Sequence, residues 1–369
     1  MEKAKITAYQ LFVLIFLFEQ GSALVVSLGT DAKQDTWLSI FIAMIGGLFL
    51  YLIYYRLYLF YPDLPLTSYV QKIIGPFFGK LLGCIYLLYF FYIGARILRD
   101  FGELLLTFAY PNTPIFIIMA MMTLTIMYAV HKGFEVLART GEIYFILIYF
   151  LAISGAILLV SSGLINLNQL KPVLEEGFGT VINVAFKQSL YIPFGEVIVF
   201  SMILPYLSNV SKAKLPGLLA LALCGINLAI TDAINVAVLG EDLVKRSAFP
   251  LLSTIQKIQV ANFLERLDVF FMLFSIIGGF FKIGIFFYAG VTGTADLFKL
   301  KNYKKLIYPL GLVFLFLSMS IASNFSEQLK EGLIVIPLYI HLPLQIIIPL
   351  LLLMIAYVKN RKKTIEKNC

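Results

Sequence analysis

The chain has 369 residues and a formal net charge of +8, with 60% hydrophobic residues against 14% charged. A soluble domain carries about a quarter charged residues and keeps its helices apolar on one face only, so the composition excludes an ordinary globular domain. Transmembrane barrels are excluded as well, because they use strands of about ten residues with alternating polarity.

A helix needs about 20 apolar residues to cross a hydrocarbon core about 30 Å thick. The sequence supplies such stretches one after another, and they predict an all-α polytopic membrane protein with about ten transmembrane helices. Spans are expected at 6–28, 36–58, 81–107, 114–130, 143–161, 184–207, 216–239, 266–290, 306–322 and 336–358, forming one transmembrane domain over residues 1–369. Lys3 and Lys5 precede the first span, but its apolar run is too long for a cleaved signal, so it is expected to remain as a helix. Basic residues concentrate in alternate links, among them Arg56, Lys72, Lys80, Lys132, Arg139, Lys212, Lys304 and Lys362. This asymmetry predicts both termini in the cytoplasm, and the positive charge is read as a topology signal directed at the bilayer, with no nucleic-acid partner.

Chemistry is expected where the rules for membrane helices are broken. The first span contains Glu19, about 20 Å from the span's start and near the midplane, followed by Gln20-Gly21-Ser22-Ala23. Gly21 permits an unwinding that would leave the amides of Ser22 and Ala23 as a helix N-terminus inside the membrane. The third span carries Tyr92, Arg96, Arg99, Asp100 and Glu103, with Arg96–Asp100 and Arg99–Glu103 at i, i+4 spacing. In the sixth span, Pro193-Phe194-Gly195-Glu196 predicts a second break at midplane depth. The seventh has a polar stripe of Asn227, Thr231, Asp232 and Asn235, and the eighth combines Gly278, Gly279 and Gly284 with a lone Lys282. An ammonium there must pair, deprotonate or touch an anionic ligand; pairing with Glu19 or Glu196 and direct ligand contact are both open.

The two breaks fall on the first helix of each five-helix half, about 6–161 and 184–358. An odd number of spans inserts the halves with opposite orientation, and paired interrupted helices in inverted repeats point to a midplane ligand site. Cys84, Cys224, Cys369, His131 and His341 have no metal-ligand or disulfide spacing, and no phosphate loop, nucleophile elbow or zinc-protease motif is present. Neither a catalytic site nor a cofactor is expected.

Several short stretches, taken in order, carry a resemblance over essentially the whole chain. They are Gly21-Ser22-Ala23, Asp35-Thr36-Trp37-Leu38, Tyr61-Pro62 with Ile74-Gly75, Gly133-Phe134-Glu135-Val136-Leu137-Ala138-Arg139, Pro193-Phe194-Gly195-Glu196 and Phe263-Leu264-Glu265-Arg266-Leu267-Asp268. With them the chain resembles the spore germination permease family, the B subunits of nutrient germinant receptors, within the amino acid–polyamine–organocation superfamily. The resemblance implies the five-plus-five inverted repeat and a place in the spore inner membrane. It also implies a nutrient ligand such as an amino acid, and assembly with a membrane-embedded A subunit and a lipoprotein C subunit. The site it implies comprises Glu19, Gly21, Ser22, Ala23, Tyr92, Arg96, Phe194, Gly195, Glu196, Gly278 and Lys282. An ion-coupled amino-acid transporter is the alternative reading.

Overall fold

A computed structural model describes residues 5–26, 28–258 and 268–368. Lys3 and the stretch Phe263-Leu264-Glu265-Arg266-Leu267 of the last resemblance motif lie outside the described residues. Among those described, the regular structure is helical, joined by loops, with one isolated bridge between Ile6 and Leu207. The helices are α1 Ala8–Ala23, α2 Thr36–Phe60, α3 Leu66–Ile74, α4 Pro76–Phe108, α5 Ile115–Lys132, α6 Phe134–Ser161 and α7 Phe178–Val184. They continue with α8 Lys214–Leu239, α9 Glu241–Arg246, α10 Pro250–Gln256, α11 Asp268–Leu297, α12 Lys304–Ser320, α13 Phe325–Lys330 and α14 Ile348–Asn368.

Seven described helices are long and apolar enough to cross a membrane, and the count reaches eight when α12 is joined with Phe325–Val335 across a 99° bend. The expected spans that fall short do so for visible reasons. The first stops after 16 residues, the sixth is broken, and α12 has 17. This is a multi-pass membrane protein. Its outward faces carry Phe49, Leu88, Ile146, Phe150 and Ile157 in the open, where hydrocarbon and not water is the matching solvent.

Two starts differ most from expectation. The fifth span begins at Phe134, earlier than the expected 143, because the helix restarts directly after Gly133. The tenth begins at Phe325, where Asn324 accepts a hydrogen bond from the Glu327 amide at 2.9 Å, and runs on through the π-helical segments Glu331–Val335 and Pro337–Ile347 into α14. α3 lies in a region read from sequence as a link. Its buried Leu66, Tyr69, Val70 and Ile73 recur at helical spacing and seat it on α4.

The core is built around α1 and α11, which touch α4, α6 and α8. Small residues allow this packing where no hydrophobic drive exists between helices in lipid. A Cβ placed on Gly21 would lie 2.6 Å from the Gly278 carbonyl oxygen, so the two backbones meet with no room for a side chain. At one end of the bundle, the segment Thr30–Asp35 is tied to the 171–177 loop and to α9. Lys33 pairs with Glu176 at 2.5 Å and Lys245 with Asp31 at 3.5 Å, while Asp35 accepts from the Leu174 amide at 2.9 Å. The Lys33–Glu176 contact pushes the ammonium up and holds the carboxyl below its usual range.

Candidate functional site

The site begins where the first helix ends. Thr7 caps α1 by accepting from the Gln10 amide at 3.1 Å, and the helix runs unbroken through Gly21 and Ser22 to Ala23. The unwinding expected at Gly21 does not occur. Gly21 serves close approach to α11, which holds it helical. The interruption comes after Ala23: the amides of Leu24, Val25 and Val26 all turn back to the Ser22 carbonyl, the latter two at 3.1 Å. α1 therefore points a C-terminus into the protein. The Ser22 and Ala23 amides belong to the helix interior and are not the open donors expected from sequence. A helix C-terminus carries partial negative charge and favours a cation.

The second interruption falls where Pro193 and Gly195 predict it. α7 continues as a π turn over Ala185–Ser189, the chain turns through 190–193, and a 3-10 segment runs Phe194–Met202. The freed amides are already used: Gly195 donates to the Leu190 carbonyl at 2.9 Å and Glu196 to that of Pro193 at 3.0 Å. Gly195 is required for space, since a Cβ there would lie 2.0 Å from Gln345 Oε1. Phe194 fills the gap over Gly47.

Between the end of α1, α4, the 3-10 segment and the first part of the last helix lies a cavity of about 60 Å³. Ser22, Arg96, Asp100, Glu196, Gln328 and His341 supply its polar lining, and Ile93, Ile192 and Ile336 its apolar walls. Three expected site residues, Ser22, Arg96 and Glu196, are brought together here. Tyr92 supports Arg96, with its hydroxyl 3.4 Å from Nη1 and its ring centroid 5.8 Å from the guanidinium carbon. Arg96 Nη2 donates to the Gln328 carbonyl, and Nη1 lies 3.5 Å from Glu331. Gln328 Nε2 returns bonds to Asp100 at 2.5 Å and to the Arg96 carbonyl at 3.0 Å. Asp100 thus takes the Gln328 amide, while Arg96 turns to Glu331. Arg99 and Glu103 do form their expected pair at 2.8 Å. The start of the last helix packs directly on Arg96, where a Cβ built on Gly332 would lie 2.9 Å from Nη2.

Next to the cavity, Lys282 Nζ meets Glu196 Oε2 at 2.5 Å, with the lysine fully buried. Its ammonium also lies 4.9 Å from the Phe18 ring centroid. Glu19 is fully buried within electrostatic reach of both partners, and its carboxylate oxygens have no hydrogen-bond partner among the described residues. Of the two carboxylates expected as partners for Lys282, Glu196 and not Glu19 makes the contact. Gly21, Gly278, Ala23 and Phe194 shape the packing around this centre without lining the cavity.

The sequence missed the contribution of the last helix. His341, expected near a span end, lies well inside a helix that starts earlier, and it is buried. Its Nδ1 lies 2.8 Å from the Tyr89 hydroxyl and 3.1 Å from Gln345 Nε2, which also donates to Tyr89 at 2.8 Å. Tyr191 stacks on the imidazole with centroids 6.3 Å apart. The available signal was the spacing Asn324-x-x-Glu327, which marks a helix start upstream of two buried glutamines.

This architecture, with two interrupted helices flanking a central cavity, is that of a class of membrane transporters. The chain superimposes on MhsT, solved in complex with L-phenylalanine, with a TM-score of 0.69 at 13% identity, covering 96% of this chain and 89% of that one. It likewise matches MHP1, a nucleobase-cation-symport-1 family transporter in a closed conformation, with a TM-score of 0.62 at 12% identity over 90% and 76% of the two chains. At such identities the likeness concerns the fold. Sequence relationship is more specific: residues 5–326 match the family described as "Spore germination protein". Spore germination protein KB of Bacillus subtilis (strain 168) is 49% identical over 367 residues, covering 100% of this chain and 98% of the relative. Spore germination protein YndE of the same organism is 24% identical over 97% of this chain and 98% of its own length. The chain belongs to the spore germination protein family.

Proposed function

We propose that this chain is the membrane-embedded nutrient-binding subunit of a spore germinant receptor. The observation that carries the reading is the convergence of Ser22, Arg96, Glu196 and His341 on one cavity beside two interrupted helices. One water needs about 10–15 Å³ of such space, so about 60 Å³ admits a molecule of only a few heavy atoms, such as a small amino acid. Arg96 is the group for a ligand carboxylate, because its guanidinium forms charge-assisted, bidentate bonds with planar anions. The α1 C-terminus and Glu196 supply the negative side for an ammonium. This reverses the polarity that open amides in α1 would have given.

Arg96 is tied to Gln328 and Glu331 at the start of the last helix, so a ligand that draws its guanidinium inward links occupancy to the position of α13. A ligand shifts that equilibrium only by its differential affinity for the two arrangements. An A subunit and a lipoprotein C subunit read the shift in the spore inner membrane, with both termini of this chain cytoplasmic. Support for this assembly comes from the family relationship and the resemblance to B subunits.

The test is Arg96→Gln in spores, scored by nutrient dose response and by uptake of labelled nutrient in proteoliposomes. Loss of one charge-assisted contact is worth roughly 1.5–3 kcal/mol, so the nutrient requirement should rise about 10- to 150-fold at unchanged protein level. An unchanged requirement would reject the cavity as the nutrient site. Sustained flux through the purified wild-type chain would reject the sensor in favour of an ion-coupled transporter.

A further inference from the structure

A second cavity, about 320 Å³ in volume, lies on the opposite side of the α1 terminus, between α1, α6, α8, α10 and α11. Its walls are mostly apolar, and Ile153 and Ile230 at its rim are 58% and 55% exposed on the membrane-facing surface. Its polar side chains are few: Gln20, Tyr149, Ser154, Asn227, Thr231 and Thr254. Ser154 donates to the Leu151 carbonyl at 2.9 Å and Thr254 to Asn235 Oδ1 at 2.8 Å. Asn227 and Thr231 have partners: Asn227 Nδ2 lies 3.5 Å from the Tyr149 hydroxyl, and Thr231 donates to the Asn227 carbonyl at 2.8 Å. Gln20 does not. It is 2% exposed, and neither its Nε2 nor its Oε1 has a hydrogen-bond partner among the described residues. An unmade amide in an apolar wall is costly, and its donor and acceptor together call for a group that can answer both.

We infer that this cleft is a binding site for a neutral amphipathic molecule, an apolar body of about two fused rings bearing one amide or comparable donor–acceptor group that pairs with Gln20. The size follows from the volume: a dry apolar cavity of about 150 Å³ accepts benzene, and this one is about twice that. A charged headgroup is disfavoured, because no ionisable side chain lines the cleft among the described residues. The place of the site in the fold gives it a consequence. Gln20 and Leu24 line the apolar cleft while Ser22 and Val26 line the central cavity, so one stretch of chain is the wall between them. An occupant braces that wall and biases the nutrient site; this second statement rests on the nutrient-binding reading, whereas the binding site itself does not.

Gly155 makes the test clean. It lines the cleft, and a Cβ built on it meets nothing within 4 Å, so a larger residue fills the cleft without displacing backbone. The full chain in phosphatidylglycerol nanodiscs is titrated with 1-naphthamide, using empty nanodiscs as the partition baseline. Saturable binding is expected, about 5- to 10-fold tighter than for 1-methylnaphthalene, and Gln20→Leu should erase that preference. Gly155→Phe should abolish saturable binding, whereas Ile157→Phe, on the lipid face outside the cleft, should leave it intact. If Gly155→Phe accumulates poorly, the Gln20→Leu comparison decides. Partition alone, equal in empty discs, would overturn the proposal, as would binding indifferent to both Gly155→Phe and Gln20→Leu. So would native mass spectrometry finding a retained phospholipid that Gly155→Phe releases, since the cleft would then belong to the bilayer. In the spore arm, 1-naphthamide should shift the nutrient requirement of the wild type but not of Gly155→Phe. Binding without that shift would overturn the coupling alone.

Discussion

Removing Lys282 is the sharpest test of the centre described above. Its ammonium and the Glu196 carboxylate sit 2.5 Å apart with no exposure to speak of, and at an effective dielectric of about 20 that separation corresponds to roughly 6–7 kcal/mol of attraction. Desolvation offsets much of this, so the pair itself contributes modestly to stability; breaking it is what costs, about 3–5 kcal/mol, because one charge is left buried alone. Lys282→Met is the worst case. It strands Glu196 beside Glu19, a second buried carboxylate without a hydrogen-bond partner among the described residues. Glu196→Gln should be milder, since Glu19 stays within reach of the cation left behind. The double variant Glu196→Gln with Lys282→Met should recover abundance towards wild type, with a coupling energy of about 0.5–3 kcal/mol expected for neighbours in one network. The assays are membrane abundance and thermal unfolding in detergent, and the predicted order is Lys282→Met lowest, then Glu196→Gln, then the double variant. Wild-type abundance and melting temperature for Lys282→Met, or strict additivity in the cycle, would refute the structural pair. A raised nutrient requirement with unchanged abundance in Glu196→Gln would show that Glu196 serves the ligand alone and not the pair with Lys282.

Gly21→Ala should lower abundance by separating α1 from α11, because the added methyl lies 2.6 Å from the Gly278 carbonyl oxygen and backbone cannot move aside; a normal melting temperature would show that the helices do not meet as described. Gly195→Leu should abolish nutrient response, its side chain displacing Gln345 and with it the bonds to Tyr89 and His341; a full response at normal protein level would contradict this. An introduced cysteine at Lys362 should resist an impermeant thiol reagent applied outside intact cells, while Asp31→Cys and Lys245→Cys should react, and the reverse pattern would invert the topology. Finally, Lys33 holds the Glu176 carboxyl below its usual range, so the tie it makes is present above the ordinary carboxylate range and is lost as pH falls through the lowered value. Hydrogen-exchange protection of the 171–177 loop, corrected for intrinsic rates, should drop at acid pH, and Glu176→Gln should flatten the profile; a flat profile in the wild type would remove the pair from the account.

Much of this protein was legible in its residues because the bilayer imposes a simple rule. Apolar stretches long enough to span it become helices, since lipid offers backbone groups no partner. That rule located the long helices and, through Pro193 and Gly195, the break in the sixth, but not the short α3, α9 and α10. It also drew attention to Glu19, Arg96, Glu196 and Lys282, because charge inside a membrane needs a reason. Which charge answers which was decided only by tertiary structure. Glu19 and Glu196 were equivalent candidates for Lys282 until the packing of α11 against the 3-10 segment chose Glu196. Arg96 had a carboxylate one turn away in Asp100, yet a helix more than two hundred residues later supplies Glu331 and Gln328. Gly21 has the residue type of a break and the function of a contact, because Gly278 stands against it. Local sequence reports what a segment can do alone; a glycine's freedom and a charge's partner depend on what the rest of the chain brings within a few ångströms.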